Sequence, residues 1–440
     1  MKPIRAGLLG IGTVGGGTFS VLARNQEEIR RRAGRDIEIA VVADLDVARA
    51  RAVVGDRVPV VADARQVIAD PAIDVVIELI GGYGIARTLV MEAIEAGKHV
   101  VTANKALLAV HGSDIFAAAR RQGVMVAFEA AVAGGIPIIK ALREGLTANR
   151  IQWIAGIING TTNFILSEMR DKGLDFDVAL QQAQRLGYAE ADPTFDIEGV
   201  DAAHKATIMS AIAFGIPVQF DRAHVEGITQ LAAADIRYAE QLGYRIKLLG
   251  IARRATAGIE LRVHPSLVPA SRLLANVEGA MNAVMVHGDA VGTTLYYGKG
   301  AGAEPTASAV IADLVDIARL SAADPLHRVP HLAFQPDAMS ALPVLPIDEV
   351  VTSYYLRLRV ADETGVLARV TGILAELGIS IDAVLQREAD QVSREGENQT
   401  DLIILTHDTR ERTMNEALAR MQALPTVLAP ITRLRKEELV

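Results

Sequence analysis

The chain opens on a short apolar run, "IRAGLLG" (4–10), that suits a strand buried on both faces. Helix-compatible spacing follows to about residue 32. Further apolar runs recur at "IEIAVVAD" (37–44), "IDVVIELIGG" (73–82), "KHVVTANK" (98–105) and "VMVAFEAA" (124–131), interleaved with helical segments. Such strands alternating with helices predict an α/β domain over 1–150, built on a parallel sheet covered on both faces.

The pattern changes near residue 151. "RIQWIAGIINGTTNFIL" reads as a strand, a turn and the start of a helix. Amphipathic helical spacing follows at 175–186, 199–214 and 230–243, and strand-like pieces at 245–251, 258–264, 284–288 and 293–298. This predicts an α+β domain over 151–304. Residues 305–320, "PTASAVIADLVDIARL", form one helix able to return to the first domain. The stretch 321–350 is proline-rich and aperiodic and reads as a linker. Beyond it, "YYLRLRV" (354–360) is a strand with alternating faces, and "GVLARVTGILAELG" (365–378) is a helix closed by Gly378. More strand–helix–strand sequence follows, so 351–440 is a small βαββαβ module.

Composition narrows the function. Half of the 440 residues are hydrophobic, yet no apolar run reaches the length of a membrane span. The N-terminus lacks the features of a signal peptide, so a cytoplasmic location is expected. The net charge of −8 comes with no basic block, and neither a nucleic-acid nor a membrane partner is expected. There is no cysteine, which removes disulfides, thiolate metal sites and thiol nucleophiles together.

"GLLGIGTVGGG" sets Gly10, Gly12 and Gly15 between a strand and a helix. Glycines there permit a tight turn and close approach of a pyrophosphate, and the helix start at Thr13 and Val14 offers free N–H groups. A Rossmann-type dinucleotide-binding domain follows from this context. Asp44 ends the second strand, where a ribose diol is held, and favours NAD; Arg49 and Arg51 just beyond could serve NADP. "VTANK" brings Lys105 to the carboxyl end of a strand, on the side where such sheets bind ligands.

The segment "GYAEADPTFDIEGVDAAHK" (187–205) gathers Glu190, Asp192, Asp196, Glu198 and Asp201 before Lys205. Asp201 and Lys205 are four apart in a helical stretch and share a face. A surface ion pair is the ordinary reading, but the apolar flanks favour burial. A buried lysine needs partners, and a substrate bearing an amino group would also want carboxylates around it.

These motifs, with "FEAAVAGGIPII" and "GAGAEPTASAV", occur in the order found in homoserine dehydrogenases, which the sequence resembles along nearly its whole length. The resemblance implies NAD(P)-dependent interconversion of L-homoserine and L-aspartate 4-semialdehyde, on the path to threonine, methionine and isoleucine. It matches Lys205 to the family's proton donor and Lys105 to a second essential lysine near nicotinamide and substrate, and leaves open which of the two delivers the proton. Glu190 and Asp201 become substrate ligands, with Asp196 in the same acidic pocket, and Gly187 and Gly302 touch the cofactor. Glu129, Val132, Gly134 and Ile136 match a monovalent cation site for sodium or potassium, and oxygen ligands suit a hard cation. The C-terminal module, carried by "VADETGVLARVTGILAELGISI" (360–381), looks like an ACT domain, a type that commonly pairs and binds amino acids. That implies threonine as an effector and a homodimer or homotetramer.

Two alternatives are open to test. Aspartate-semialdehyde dehydrogenase also has a Rossmann domain, but its acyl transfer needs a cysteine. A non-catalytic amino-acid sensor is opposed by the presence of Lys105, Glu190, Asp201 and Lys205. The first strand at residue 4 also gives the expectation that the chain is not a fusion with aspartokinase.

Overall fold

The computed structural model describes residues 2–386 and 398–439. Part of the C-terminal module, 387–397, thus lies outside the described residues.

Six parallel strands form the first sheet: β1 (Ile4–Leu9), β2 (Ile37–Ala43), β3 (Val60–Val61), β4 (Val75–Glu78), β5 (His99–Thr102) and β6 (Val126–Ala127). Their order is β3-β2-β1-β4-β5-β6, with β1 between β2 and β4. The order reverses between β1 and β4, which opens a crevice at their carboxyl ends. The glycine turn follows β1 and leads into the helix Thr13–Arg24. The apolar run at 124–131 keeps only two strand residues. The backbone N–H of Glu129 is taken by the Asp313 carboxylate at 2.8 Å, and Glu129–Ala131 turns into a 3-10 helix.

The helix Ala303–Leu320 returns to this domain. It packs on the glycine-turn helix at Gly17, where a Cβ would lie 2.5 Å from the Ala303 carbonyl oxygen. Val310, Leu314 and Ile317 join Leu8 and Phe19 in one buried cluster.

The second sheet begins with β7 (Ile151–Ile157), β8 (His224–Val225), β9 (Tyr244–Arg254), β10 (Ile259–Pro269), β11 (Met281–Gly288) and β12 (Gly292–Lys299). It continues through β13 (Val351–Ala361), β14 (Ile381–Gln386), β15 (Gln399–Thr406), β16 (Thr409–Arg410) and β17 (Thr432–Lys436). The path is β12-β11-β7-β9-β10-β17-β13-β15-β14, with β8 beside β10 and β16 beside β13. The C-terminal module is therefore not hung on a free tether. Its last strand pairs in parallel with β10, at Ser266 opposite Arg435 and Leu267 opposite Lys436.

Buried polar contacts reinforce this junction. Arg262, fully buried, donates to Glu437 and, at 3.0 Å, to Glu260. Asp235 accepts from Arg357 at 2.6 Å and from the Tyr355 hydroxyl at 3.1 Å. The stretch 321–350 is likewise packed against the body. Arg328 donates to the Gly123 carbonyl at 2.8 Å, His331 stacks on Phe116, and Ile259 donates to the Pro343 carbonyl at 2.8 Å. Proline suppresses regular structure there, and backbone groups instead find partners on the body.

Candidate active site

The helix Val200–Phe214 is buried nearly throughout. Gly199 starts it with φ +81°, and Gly215 closes it in the left-handed region. The i,i+4 spacing brings Lys205 Nζ within 2.6 Å of Asp201 Oδ2, and Nζ also donates to the Ile158 carbonyl at 2.8 Å. Both side chains are buried, so this pair differs in kind from an exposed ion pair.

The other oxygen of Asp201 meets a lysine from the first domain. Lys105 Nζ lies 3.1 Å from Asp201 Oδ1. Lys105 stands past β5, as the first residue of the helix Lys105–Gln122. Asn104 caps that helix by accepting from Leu107 N–H at 3.1 Å, and its amide donates to the Gly82 carbonyl. Buried Glu78 accepts from the Thr102 hydroxyl at 2.7 Å and from the N–H groups of Ile80 and Gly81. This ties the ends of β4 and β5 together beside the lysine.

One carboxylate thus serves two ammonium groups, and their environments differ. Asp201 raises the proton affinity of Lys105 and outweighs its partial burial. Burial lowers that of Lys205; Asp201 opposes this and the charge of Lys105 adds to it. Burial acts to raise Asp201, but Lys205 and Lys105 together hold it well below the usual carboxylate range. An ammonium with lowered proton affinity in a buried site is suited to general-acid work.

Asn159 completes the cluster. Its amide donates to Asp196 at 2.7 Å and to Asp201 at 2.9 Å, while its oxygen caps the helix Gly160–Lys172 at Thr162 N–H. Asp196 is raised, chiefly by burial and then by Asp201. Glu190 is exposed on the same acidic loop and acts on Lys105 through its charge. Sequence reasoning did not single out Asn159. The Asn-Gly step at the start of a helical pattern was the available signal, since asparagine favours N-caps.

At the glycine turn, Gly10 has φ +91°, and a Cβ there would lie 2.8 Å from the Leu79 carbonyl oxygen. A Cβ on Gly15 would fall 2.1 Å from the Gly10 carbonyl oxygen. Only glycine fits at these two positions, and the turn has the shape of a pyrophosphate cradle below the N–H groups of Thr13 and Val14. Asp44 accepts from Ile11 N–H at 2.8 Å and from Asp46 N–H at 2.9 Å, which places it beside the turn. The Arg49 guanidinium is 3.6 Å from where a Gly12 Cβ would stand. Arg51 is two residues further along the helix Val47–Val54, about 200° round it, and does not share that face. Gly302, with φ +127°, starts the return helix next to the Gly17 contact, and Gly187, with φ +75°, opens the acidic loop.

The candidate cation loop is buried, with Val132 and Ile136 in the core and Ala133 at φ +51°. The Glu129 carboxylate accepts from Ile139 and Lys140 N–H, each at 2.9 Å. The Ile136 carbonyl accepts from Ile138 N–H at 2.8 Å. Among the described residues no group of three His, Cys, Asp or Glu side chains could hold a metal. A cation here would rest on backbone carbonyls beside the buried carboxyl groups of Glu129 and Asp313, a donor set fit for a hard monovalent ion.

The homoserine dehydrogenase family matches residues 137–315, its NAD-binding domain residues 10–129, and the ACT domain residues 354–426. The chain is 61% identical to homoserine dehydrogenase of Pseudomonas aeruginosa and 58% identical to that of Neisseria gonorrhoeae, over the whole of each. The crystal structure of a homoserine dehydrogenase from Thiobacillus denitrificans superposes with a TM-score of 0.95 at 65% identity, covering 100% of this chain and 99% of that one. A hyperthermophilic archaeal homoserine dehydrogenase in complex with NADPH covers 73% of this chain and 99% of its own, with a TM-score of 0.62 at 25% identity. With its catalytic, NAD-binding and ACT regions each matched and a relative 61% identical over its whole length, the chain belongs to the homoserine dehydrogenase family, an NAD(P)-dependent oxidoreductase.

Proposed function

We propose that Lys205 gives the proton to the aldehyde oxygen of L-aspartate 4-semialdehyde, while Lys105 stabilises the charge developing on that oxygen. The observation that carries this reading is the sharing of Asp201 by two lysines from different domains. Two of the three Lys205 hydrogens are used by Ile158 and Asp201, which leaves one for the substrate oxygen. In the oxidative direction Lys205 takes the proton back from homoserine. The nicotinamide, when bound, supplies or accepts the hydride. Glu190, with Asp196 and Asp201 behind it, holds the substrate ammonium. Gly10, Gly12, Thr13, Val14 and Gly15 cradle the pyrophosphate, Asp44 takes the ribose, and Gly187 and Gly302 flank the cofactor. Lys205→Ala should lower kcat at least 100-fold while dinucleotide still binds, the usual range for a lost general acid being about 10²–10⁴. Retention of more than a tenth of kcat would overturn the assignment. Glu190→Ala should chiefly raise KM for homoserine, because an ammonium contact is made equally in ground and transition states.

A sodium or potassium ion belongs in the 129–136 loop. The local charge supports it: burial pushes Glu129 up to about 6 and Asp313 up to about 8, and a cation alongside would favour both carboxylates. Activity in sodium or potassium salts against a tetramethylammonium salt tests this. Threonine is the proposed effector at the ACT domain, acting as feedback on the path to threonine, methionine and isoleucine, and inhibition assays with each amino acid would read it. A cytoplasmic homodimer or homotetramer fits an enzyme drawing on dinucleotide pools and the exposed Tyr297 on edge strand β12. Sedimentation measures the oligomer. No described helix is long and apolar enough to cross a membrane.

A further inference from the structure

Glu226 follows β8 and faces two ways. Its carboxylate is gripped by the last strand of the C-terminal module. Oε1 accepts from Arg433 at 2.7 Å and Arg435 at 2.9 Å, and Oε2 from Arg435 at 2.9 Å. Arg433 and Arg435 are themselves held by buried Glu411 at 2.6 Å and 2.5 Å. His224 Nε2 lies 2.8 Å from Glu226 Oε1.

The backbone around Glu226 is the seat of the acidic loop. Its N–H donates to the Val263 carbonyl at 2.7 Å, which fixes it on β10. Its carbonyl oxygen lies 3.1 Å from where a Cβ on Gly199 would stand, and Gly199 starts the helix that carries Asp201 and Lys205. The next residue, Gly227, has room only for hydrogen, because a Cβ there would meet the Ile197 carbonyl oxygen at 2.3 Å. Ile228 N–H then donates to that same oxygen at 2.8 Å. Glu226, through its side chain, and Gly227 and Ile228, through their backbone, therefore join the C-terminal strand to the segment bearing Asp196.

We propose that Glu226 is a positioning residue for substrate binding: by anchoring on Arg433 and Arg435 it sets the register of the 190–199 loop and of the helix start at Gly199. The proposal rests on the reading of that loop as the substrate's ammonium end. Glu226 does not touch substrate; it acts through Gly199, Gly227 and Ile228.

The test uses the full chain with Glu226→Gln and Arg435→Met, which weaken the same contact from opposite sides, Arg435 supplying two of its three bonds. In both, KM for homoserine should rise tenfold or more while KM for dinucleotide stays within twofold, and amide exchange across 190–199 should quicken about tenfold. The double variant should be no worse than the weaker of the two singles by more than twofold. Unchanged exchange in the loop, or an unchanged KM for homoserine in either folded variant, overturns the proposal. Loss of folding in both also overturns it, since the contact would then serve the fold as a whole. The ammonium reading stands or falls separately on Glu190→Ala.

Discussion

Lys105 and Asp201 are held by different domains, yet their charged atoms lie 3.1 Å apart. The contact spans the cleft between the dinucleotide sheet and the helix Val200–Phe214, and the same carboxylate also holds Lys205.

Removing that carboxylate should leave two cations facing each other. Asp201→Asn is expected to lower kcat at least 100-fold. It should also destabilise the fold by about 3 kcal/mol, the scale for breaking one partner out of a buried ion pair. Kinetics and denaturant titration would check both, and a fully active variant would mean that the two lysines work without a shared counter-charge.

The lysines should also be coupled in their pH dependence. Lys105 lowers the proton affinity of Lys205. Reduction needs Lys205 protonated, so the reductive rate is full at low pH and falls as pH rises through its pKa. In Lys105→Met that limb should move to higher pH, because the like charge is gone. A limb that stays in place in the residual activity would put the donor elsewhere.

Asn159 separates two roles in one side chain. Asn159→Asp keeps an oxygen able to cap Thr162 N–H but replaces the amide donor with a third carboxylate beside Asp196 and Asp201. The variant should still fold, with a melting temperature below the parent's because a third carboxylate is buried beside two others, and lose about 100-fold in kcat. Normal activity would show that the amide only caps the helix.

Cofactor choice should turn on Asp44 and Arg49. Arg49→Ala is expected to cut kcat/KM for NADPH about tenfold with little change for NADH. Asp44→Ser should shift the ratio toward NADPH, because a carboxylate repels a 2′-phosphate. If both ratios hold still in parallel assays, the ribose sits away from this edge.

Cutting the chain near residue 345 should not release a working catalytic half. Tyr355, Ile403, Leu405 and Leu434 belong to the same buried cluster as Leu261, Val263 and Leu267. Truncation would expose that cluster together with the β10 edge, a template for aggregation. Soluble expression and thermal melting decide it; a stable, active fragment would show that the shared sheet is dispensable.

The sequence by itself determined what depends on near neighbours. Periodicity marked five of the six parallel strands, missing the two-residue β3, and the long helices, and the glycine turn followed because only glycine fits where Gly10 and Gly15 meet backbone. The pairing of Asp201 with Lys205 was legible because four residues make about one helical turn. Tertiary structure decided the rest. Lys105 meets Asp201 only because the helix Lys105–Gln122 packs against Val200–Phe214, and no local pattern records that. Arg262 and Arg435 are charges on strands and Glu437 follows one, positions where charged residues are usually solvated. They are buried because β17 closes on β10, and each finds its counter-charge across that junction rather than in water. Local spacing shows which residues share a face; only the packing of distant segments supplies the opposite charge that lets such a face be buried.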